Sequence, residues 1–217
     1  IAVYATPEAP ADSVAELALA LMLALLRRIP QADRAVRAGQ WTRPSGALLS
    51  GKQVGLLGLG RIGRRVAFLC RAFGARVSAH DPVSTAEGVE SVDLDRLLAR
   101  SEILSLHAPA SAQTRHLIGA DAIARMPRGA LLVNTARGEL VDETALAAAL
   151  AGGHLAGAAL DVFEREPYRG PLAECPDVIL TPHMGSAARE TRQRMEEEAA
   201  RNLLTGLVGE RGGERDV

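Results

Sequence analysis

The sequence has almost no net charge, only two cysteines and no apolar run long enough to cross a bilayer, and each absence removes a class of function. With 25 Lys and Arg against 26 Asp and Glu, the formal net charge is -1, so there is no basic field to collect nucleic acid. Cys70 and Cys175 cannot build a disulfide framework, and a reducing cytoplasm is the default setting. The main apolar run, Leu17–Leu26, falls short of the ~20 residues a spanning helix needs. Glu8, Asp12 and Glu16 precede it, where a secretion signal would carry positive charge. A buried helix is the expected reading, and no membrane partner is expected. His80, His116 and His154 are scattered without metal-ligand spacing, so they read as structural or surface residues and no metal site is expected. Cys70 reads as core, and Cys175 has no nearby base to make it a nucleophile. Internal repeats and low-complexity segments are missing too. The first residue is Ile1 rather than Met. Ile1–Thr6 reads as a strand end running into a loop, so the expectation is a chain that starts inside a larger protein.

What is present suits one globular domain with appendages: 217 residues, 47% hydrophobic and 24% charged. Ser13-Val14-Ala15-Glu16 has the S-x-x-E pattern of a capping box, just ahead of the apolar run. It predicts a helix over 13–28, capped by Ser13 and stopped near Pro30. That helix is apolar nearly all round, so it should be buried on several sides, at an inter-domain or subunit contact. Trp41, the only Trp, reads equally as an anchor at such a contact or as part of its own domain's core.

From Gln53 onward, short apolar runs alternate with helical segments. Strands are expected over 53–58, 75–80, 103–107, 130–134, 155–160 and 178–180. Helices are expected over 62–73 and 93–100, in the segment that Asp142 caps and Gly152-Gly153 ends, and over about 186–207, before a frayed charged tail at 210–216. Strands of this kind separated by helices predict a parallel sheet covered on both faces, an α/β doubly wound Rossmann-type fold.

Two features locate chemistry on that fold. Gly58-Leu59-Gly60-Arg61-Ile62-Gly63 is a G-x-G-x-x-G run between an expected strand and an expected helix. Gly58 permits the tight turn, Gly60 lets a pyrophosphate approach the backbone, and Gly63 lets the helix pack on the strand. The helix N-terminus then offers free N–H groups to phosphate. Asp81 closes the second strand, close to the ~20-residue spacing expected of the acid that accepts from the adenosine ribose hydroxyls. A carboxylate there repels a 2′-phosphate, and Pro82 follows where an Arg would serve NADP, so NAD is the expected coenzyme.

The second feature is a set of polar residues after later strands: Arg137 in Asn134–Gly138, Glu166 in Asp161–Pro167, and His183 in Thr181–Gly185. Ligands of an open α/β sheet bind beyond the carboxyl ends of its strands. Oxidation of a 2-hydroxy acid needs a base for the hydroxyl proton, a cation for the carboxylate, and a group that orients the base. His183 suits the first task, the planar fork of Arg137 the second, and Glu166 the third, because a carboxylate beside imidazole fixes its tautomer and raises its pKa.

With these residues in place, the chain resembles the D-isomer-specific 2-hydroxyacid dehydrogenase family over nearly its whole length. The matching stretches are Ser13–Glu16, Gly58–Gly63, Asp81, His107-Ala108-Pro109, Asn134–Gly138, Leu160–Phe163 with Glu166-Pro167, and Thr181–Gly185. The segment 166–183 resembles the phosphoglycerate dehydrogenase branch. The resemblance implies Arg137 as the substrate-binding cation, Glu166 as the acid paired with the histidine, and His183 as proton donor and acceptor. It also implies that Arg61, Ile62, Asp81, Thr135, Ala136, Arg137, Asp161, His183, Gly185 and Ser186 contact or flank NAD, with His107 and Pro109 on the nicotinamide side. Family members carry roughly a hundred further residues ahead of this point, most of a second, substrate-binding domain of ordinary size. The resemblance therefore implies an NAD-binding domain over 1–184, with the helix of 185–217 returning toward that substrate domain. Together with the apolar helix it implies a homodimer, acting on a small 2-hydroxy or 2-keto acid that the sequence does not name. Two other readings stay open: an NAD(H)-sensing corepressor-like protein, and an isolated coenzyme-binding fragment without turnover. Formate dehydrogenase is disfavoured, because that relative pairs its histidine with Gln where this chain has Glu166.

Overall fold

The structure is a computed structural model that describes residues 3, 5, 6 and 8–212. Two helices lead, α1 (Ala11–Leu26) and α2 (Ile29–Arg37). The alternating part follows as β1 (Gln53–Leu57), α3 (Arg61–Ala72), β2 (Arg76–His80), β3 (Glu90–Ser91), α4 (Leu94–Arg100), β4 (Ile103–Leu106), α5 (Ala120–Arg125), β5 (Ala130–Asn134), α6 (Glu143–Ala151), β6 (Leu155–Leu160), β7 (Val178–Leu180) and α7 (Arg189–Gly212). The seven strands form one parallel sheet in the order β3-β2-β1-β4-β5-β6-β7. The chain order reverses between β1 and β4, which puts the ligand crevice of a doubly wound sheet at their carboxyl ends.

Each central strand is buried on both faces, as the continuous apolar runs require. One core layer joins Val54, Leu56 and Val133 to α1 and α3 through Ala18, Met22, Val66 and Cys70. The other joins Leu104, Leu106 and Leu132 to α4, α5 and α6 through Leu97, Ile123 and Leu146. Asp142 caps α6 with its side chain, accepting from the N–H groups of Thr144 and Ala145, and Asp93 caps α4 in the same way.

The structure departs from the sequence reading at both ends of the leading helix. α1 begins at Ala11 behind Pro10, without a side-chain cap. Ser13 is therefore inside the helix, and its hydroxyl donates 2.6 Å to the carbonyl of Gly185, across the fold. Pro30 does not stop the helical region. The turn comes at Arg28, whose backbone is left-handed (φ 52°), and Pro30 sits in the first turn of α2, where its missing N–H costs nothing. α5 and the two-residue edge strand β3 were not anticipated, because each is too short for its period to register. The last helix starts at Arg189 rather than 186 and runs through Gly212. Of the expected charged tail, 210–212 continue that helix and 213–216 lie outside the described residues. Residues 1, 2 and 4 of the expected opening strand end also lie outside them.

Candidate active site

The glycine run turns from β1 into α3 at the reversal point. Gly58 has φ +96°, and a Cβ there would lie 2.7 Å from the backbone of His107 at the end of β4. Only glycine allows that approach. A Cβ on Gly63 would sit 2.3 Å from the Gly58 carbonyl oxygen, whereas the space beside Gly60 holds no atom within 4 Å. Gly60 caps α3 without a side-chain acceptor, so the helix presents its first N–H groups on the open side.

Three loops carry the polar set beyond β5, β6 and β7. Asn134 braces the first of them: its side-chain amide donates to the carbonyl of Arg137 (2.9 Å) and its side-chain oxygen accepts from the N–H of Ala136 (3.0 Å). Gly138 brings this loop against the next, since a Cβ there would fall 1.9 Å from the carbonyl carbon of Phe163. The Arg137 side chain is exposed. Its guanidinium donates to the Ala136 carbonyl at 2.5 Å and is not hydrogen-bonded to Glu166 or His183.

Glu166 and His183 do meet. Oε2 of Glu166 lies 2.9 Å from Nδ1 of His183, and Oε1 accepts from the N–H of Phe163 at 3.1 Å. Burial pushes the Glu166 carboxyl up, but the hydrogen bonds from His183 and Phe163 and the nearby imidazole outweigh it and hold the group below the usual carboxylate range. A charged Glu166 makes Nδ1 the protonated nitrogen and leaves Nε2 for a ligand.

His183 has a left-handed backbone, φ 53°, which a buried carboxyl maintains. Asp161, only 1% exposed, accepts from the Thr181 hydroxyl (2.5 Å) and the Met184 N–H (2.9 Å) through Oδ1, and from the Gly185 N–H (2.8 Å) through Oδ2. The Gly185 carbonyl in turn takes the Ser13 hydroxyl, so α1 holds the same loop. A cavity of about 620 Å³ lies beside the pair, walled by Phe163, Pro167, Tyr168, Leu180 and Pro182, with the rings of Phe163 and Tyr168 stacked at 4.4 Å. Its wall is apolar and its edge carries Glu166 and His183, the composition of a small-molecule site. The sequence reading did not single out Asn134, Gly138 or the Phe163–Tyr168 wall as site features. The first two lie inside or beside the Arg137 motif, but their task depends on a neighbouring loop.

A family model for the NAD binding domain of D-isomer specific 2-hydroxyacid dehydrogenases matches residues 19–185. The chain belongs to that family. It is 45% identical over 219 residues to a glyoxylate reductase of Thermofilum pendens, covering 94% of this chain and 65% of the relative. It is also 45% identical over 218 residues to a D-3-phosphoglycerate dehydrogenase of Mycobacterium tuberculosis, covering 97% of this chain and 41% of that one. The chain thus spans just under two thirds of the first relative and well under half of the second. Among solved structures, a D-lactate dehydrogenase of Aquifex aeolicus complexed with NAD and lactic acid superposes with a TM-score of 0.88 at 31% identity, over 94% of this chain and 68% of that one.

The residues of this family member fit the coenzyme of its NAD-binding domain. Asp81, at the end of β2, stays charged: burial opposes ionisation, but N–H groups of Leu59 (2.7 Å), Val83 (2.9 Å) and Ser84 (2.8 Å) outweigh it and lower the carboxyl pKa. It thereby ties the glycine loop to the end of β2. His107 and Thr135 follow the paired residues Leu106 and Asn134 at the ends of β4 and β5. Nδ1 of His107 and the Thr135 hydroxyl are buried without a hydrogen-bond partner. Such groups cost about 1–3 kcal/mol each when left unpaired, and both stand at the carboxyl ends of neighbouring strands, on the edge where a doubly wound sheet binds its ligand. Burial pushes the His107 pKa down to about 4, which favours the neutral ring near pH 7.

The other expected coenzyme neighbours share this edge. Ile62 packs into the α1–α3 core layer, Arg61 pairs with Glu8, and the Pro109 carbonyl accepts from Thr114. Ala136 is buried behind Arg137, and Gly185 and Ser186 follow the His183 turn. Asp161 is engaged with that turn through both oxygens, so the contacts described here give it a part in holding His183.

Proposed function

We propose that the protein containing this chain reduces a small 2-keto acid to the D-2-hydroxy acid, and catalyses the reverse oxidation. The observation that carries this reading is the 2.9 Å contact of His183 Nδ1 with Glu166 Oε2, beside an NAD-binding edge. In the reduction, the Nε2–H of the His183 imidazolium gives its proton to the substrate carbonyl oxygen, and Glu166 stabilises the imidazolium and keeps its orientation. Arg137 turns from the Ala136 carbonyl to hold the substrate carboxylate with its planar fork and to draw charge toward the carbonyl. Bound NADH supplies the hydride. The apolar wall of Phe163, Pro167, Tyr168 and Pro182 lines the cavity beside the pair and suits the carbon skeleton of a small substrate.

The substrate class follows from the pairing of a carboxylate-binding cation with an acid/base beside C2. NADH oxidation by the full-length protein against glyoxylate, hydroxypyruvate, pyruvate and 3-phosphohydroxypyruvate tests it. Turnover of one or more supports the reading, and turnover of none overturns it.

A homodimer is part of the same proposal. Its basis moves from α1, whose apolar residues pack largely on α3 and the sheet, to the segment after it. α2 has no buried residue, and residues 38–48 are exposed throughout, with Trp41 at 80% and Leu48 at 70%. Large apolar side chains exposed on one segment call for a partner surface. No described helix is long and apolar enough to cross a membrane, and a cytoplasmic setting rests on the two free cysteines. The segment from residue 185 onward, with Leu203, Leu204 and Leu207 exposed on α7, is the return toward the substrate-binding part of the full protein.

A further inference from the structure

His116 has no place in the reaction described above, yet its geometry is unusual. It lies in the loop between β4 and α5 with a left-handed backbone, φ 49°, a conformation unfavourable for a residue with a Cβ. Two contacts hold it there. Its N–H donates 2.7 Å to the carbonyl of Glu139, two residues beyond Arg137. Its ring Nε2 lies 2.6 Å from Oε1 of Glu164, two residues before Glu166. The same oxygen accepts from Arg115 Nη2 at 2.8 Å, and the Glu164 N–H donates to Glu143 Oε1 at 3.1 Å. Beyond His116 the pairing continues strand-like, with the Ile118 N–H donating to Leu140 at 3.0 Å and the Asp142 N–H to Ile118 at 3.1 Å.

Besides the Glu164–Glu143 contact at the start of α6, the Arg137 loop and the Glu166 loop meet in two ways. At Gly138 the contact is steric: the backbones are so close that a Cβ would overlap Phe163. That limits how near the loops come but does not hold them together. His116 supplies attraction, one hydrogen bond to each loop from a single residue. Arg115 alone, on a long and largely exposed side chain, would hold little.

We propose that His116, supported by Arg115, is a positioning residue that bolts the Arg137 loop to the Glu166 loop. It thereby sets the separation between the substrate-holding cation and the acid/base pair. The inference rests on the reaction proposed above and adds to it the device that spaces its parts.

The test uses the full-length protein and three variants. His116→Gln keeps an N–H donor near the position of Nε2. His116→Asn tolerates the left-handed backbone but is too short to reach Glu164. Glu164→Ala removes the acceptor. For His116→Asn and Glu164→Ala, kcat/KM should fall roughly 10- to 100-fold, as for a small misplacement of reacting groups, with KM for the keto acid rising and kcat falling together. NADH affinity should stay within about twofold because the glycine loop is untouched. His116→Gln should recover most of the loss. Hydrogen exchange at the Phe163 and Glu164 amides, which needs no turnover, should quicken in His116→Asn and not in His116→Gln. Parent-like KM and kcat in His116→Asn would overturn the proposal. So would equal losses in the Gln and Asn variants with a lowered melting temperature and no difference in exchange between them. Should the parent turn over no keto acid while exchange still quickens, the reaction reading fails and the link between the loops stands.

Discussion

Nδ1 of His183 stands 2.9 Å from Oε2 of Glu166, and the second oxygen of that carboxyl is held by the Phe163 N–H. One oxygen fixes the acid and the other fixes the base. His183→Ala should lower turnover by about 10²–10⁴-fold, the usual contribution of a positioned acid/base, with NADH affinity largely intact. Glu166→Gln keeps a hydrogen-bonding group but removes the charge beside Nδ1, so kcat should fall by about 10-fold or more with NADH affinity largely intact. Initial rates under saturating NADH check this. A parent-like kcat would separate Glu166 from the work of His183.

Arg137 reaches only a carbonyl of its own loop, so its side chain is available to an incoming carboxylate. Arg137→Lys should chiefly raise KM for the keto acid and also lower kcat, because a point charge cannot reproduce the two-pronged fork. Initial rates over a keto-acid series give both constants. A change in neither would remove Arg137 from substrate binding.

The Asp81 carboxylate makes two predictions. NADP should bind well below NAD, because its 2′-phosphate would face a charge held in place by three N–H donors. Fluorescence titration with both coenzymes decides this, and equal affinities would refute it. The same donors lower the folded-state pKa, so the charge stabilises the fold above the unfolded value of about 3.9 and that contribution is lost as pH falls through the lower folded value. Asp81→Asn should therefore depress the melting temperature more at pH 7 than at about pH 3, near or below the unfolded value.

Asp161 is buried and accepts three hydrogen bonds from the His183 loop. Asp161→Ala would strand the Met184 and Gly185 N–H groups at about 1–3 kcal/mol each, so stability should drop by a few kcal/mol within that estimate and turnover should fall with it. Denaturant unfolding measures the first effect. An unchanged midpoint would mean that the loop finds other acceptors.

If Trp41 and its exposed neighbours seat on a second copy, sedimentation of the full-length protein at micromolar concentration should show two subunits. Trp41→Ala should then shift the equilibrium toward monomer, as loss of a large aromatic from an interface core does. A parent that sediments as a monomer would rule the dimer out.

Much of this molecule was legible along the chain because its signals are local. The G-x-G-x-x-G run needs only a strand, a tight turn and a helix in sequence, and Gly58, Gly60 and Gly63 take the positions their spacing implies. Buried parallel strands declare themselves as short apolar runs, and six of the seven lie within a residue of where those runs place them, the two-residue edge strand β3 being the exception. The paired Glu166 and His183 were legible as residue types after successive strands, since a doubly wound sheet brings all such loops to one edge.

The misreadings came where a local pattern met a distant partner. Ser13 carries the local signature of a cap, but its hydroxyl is used by Gly185 on the far side of the fold. Asp161 carries no local sign of the task its oxygens perform, which is to hold the turn that aims His183. His116 read as one scattered histidine among five, because the contacts that give it meaning, to Glu139 and Glu164, join loops that the sequence keeps apart. By itself the sequence determined the order of the main strands and their helices, the glycine loop and the identity of the polar set, since each depends on periodicity and turn chemistry within a few residues. Only the tertiary structure decided which of those residues touch, because hydrogen bonds form between loops whose distance is set by the packing of the strands beneath them.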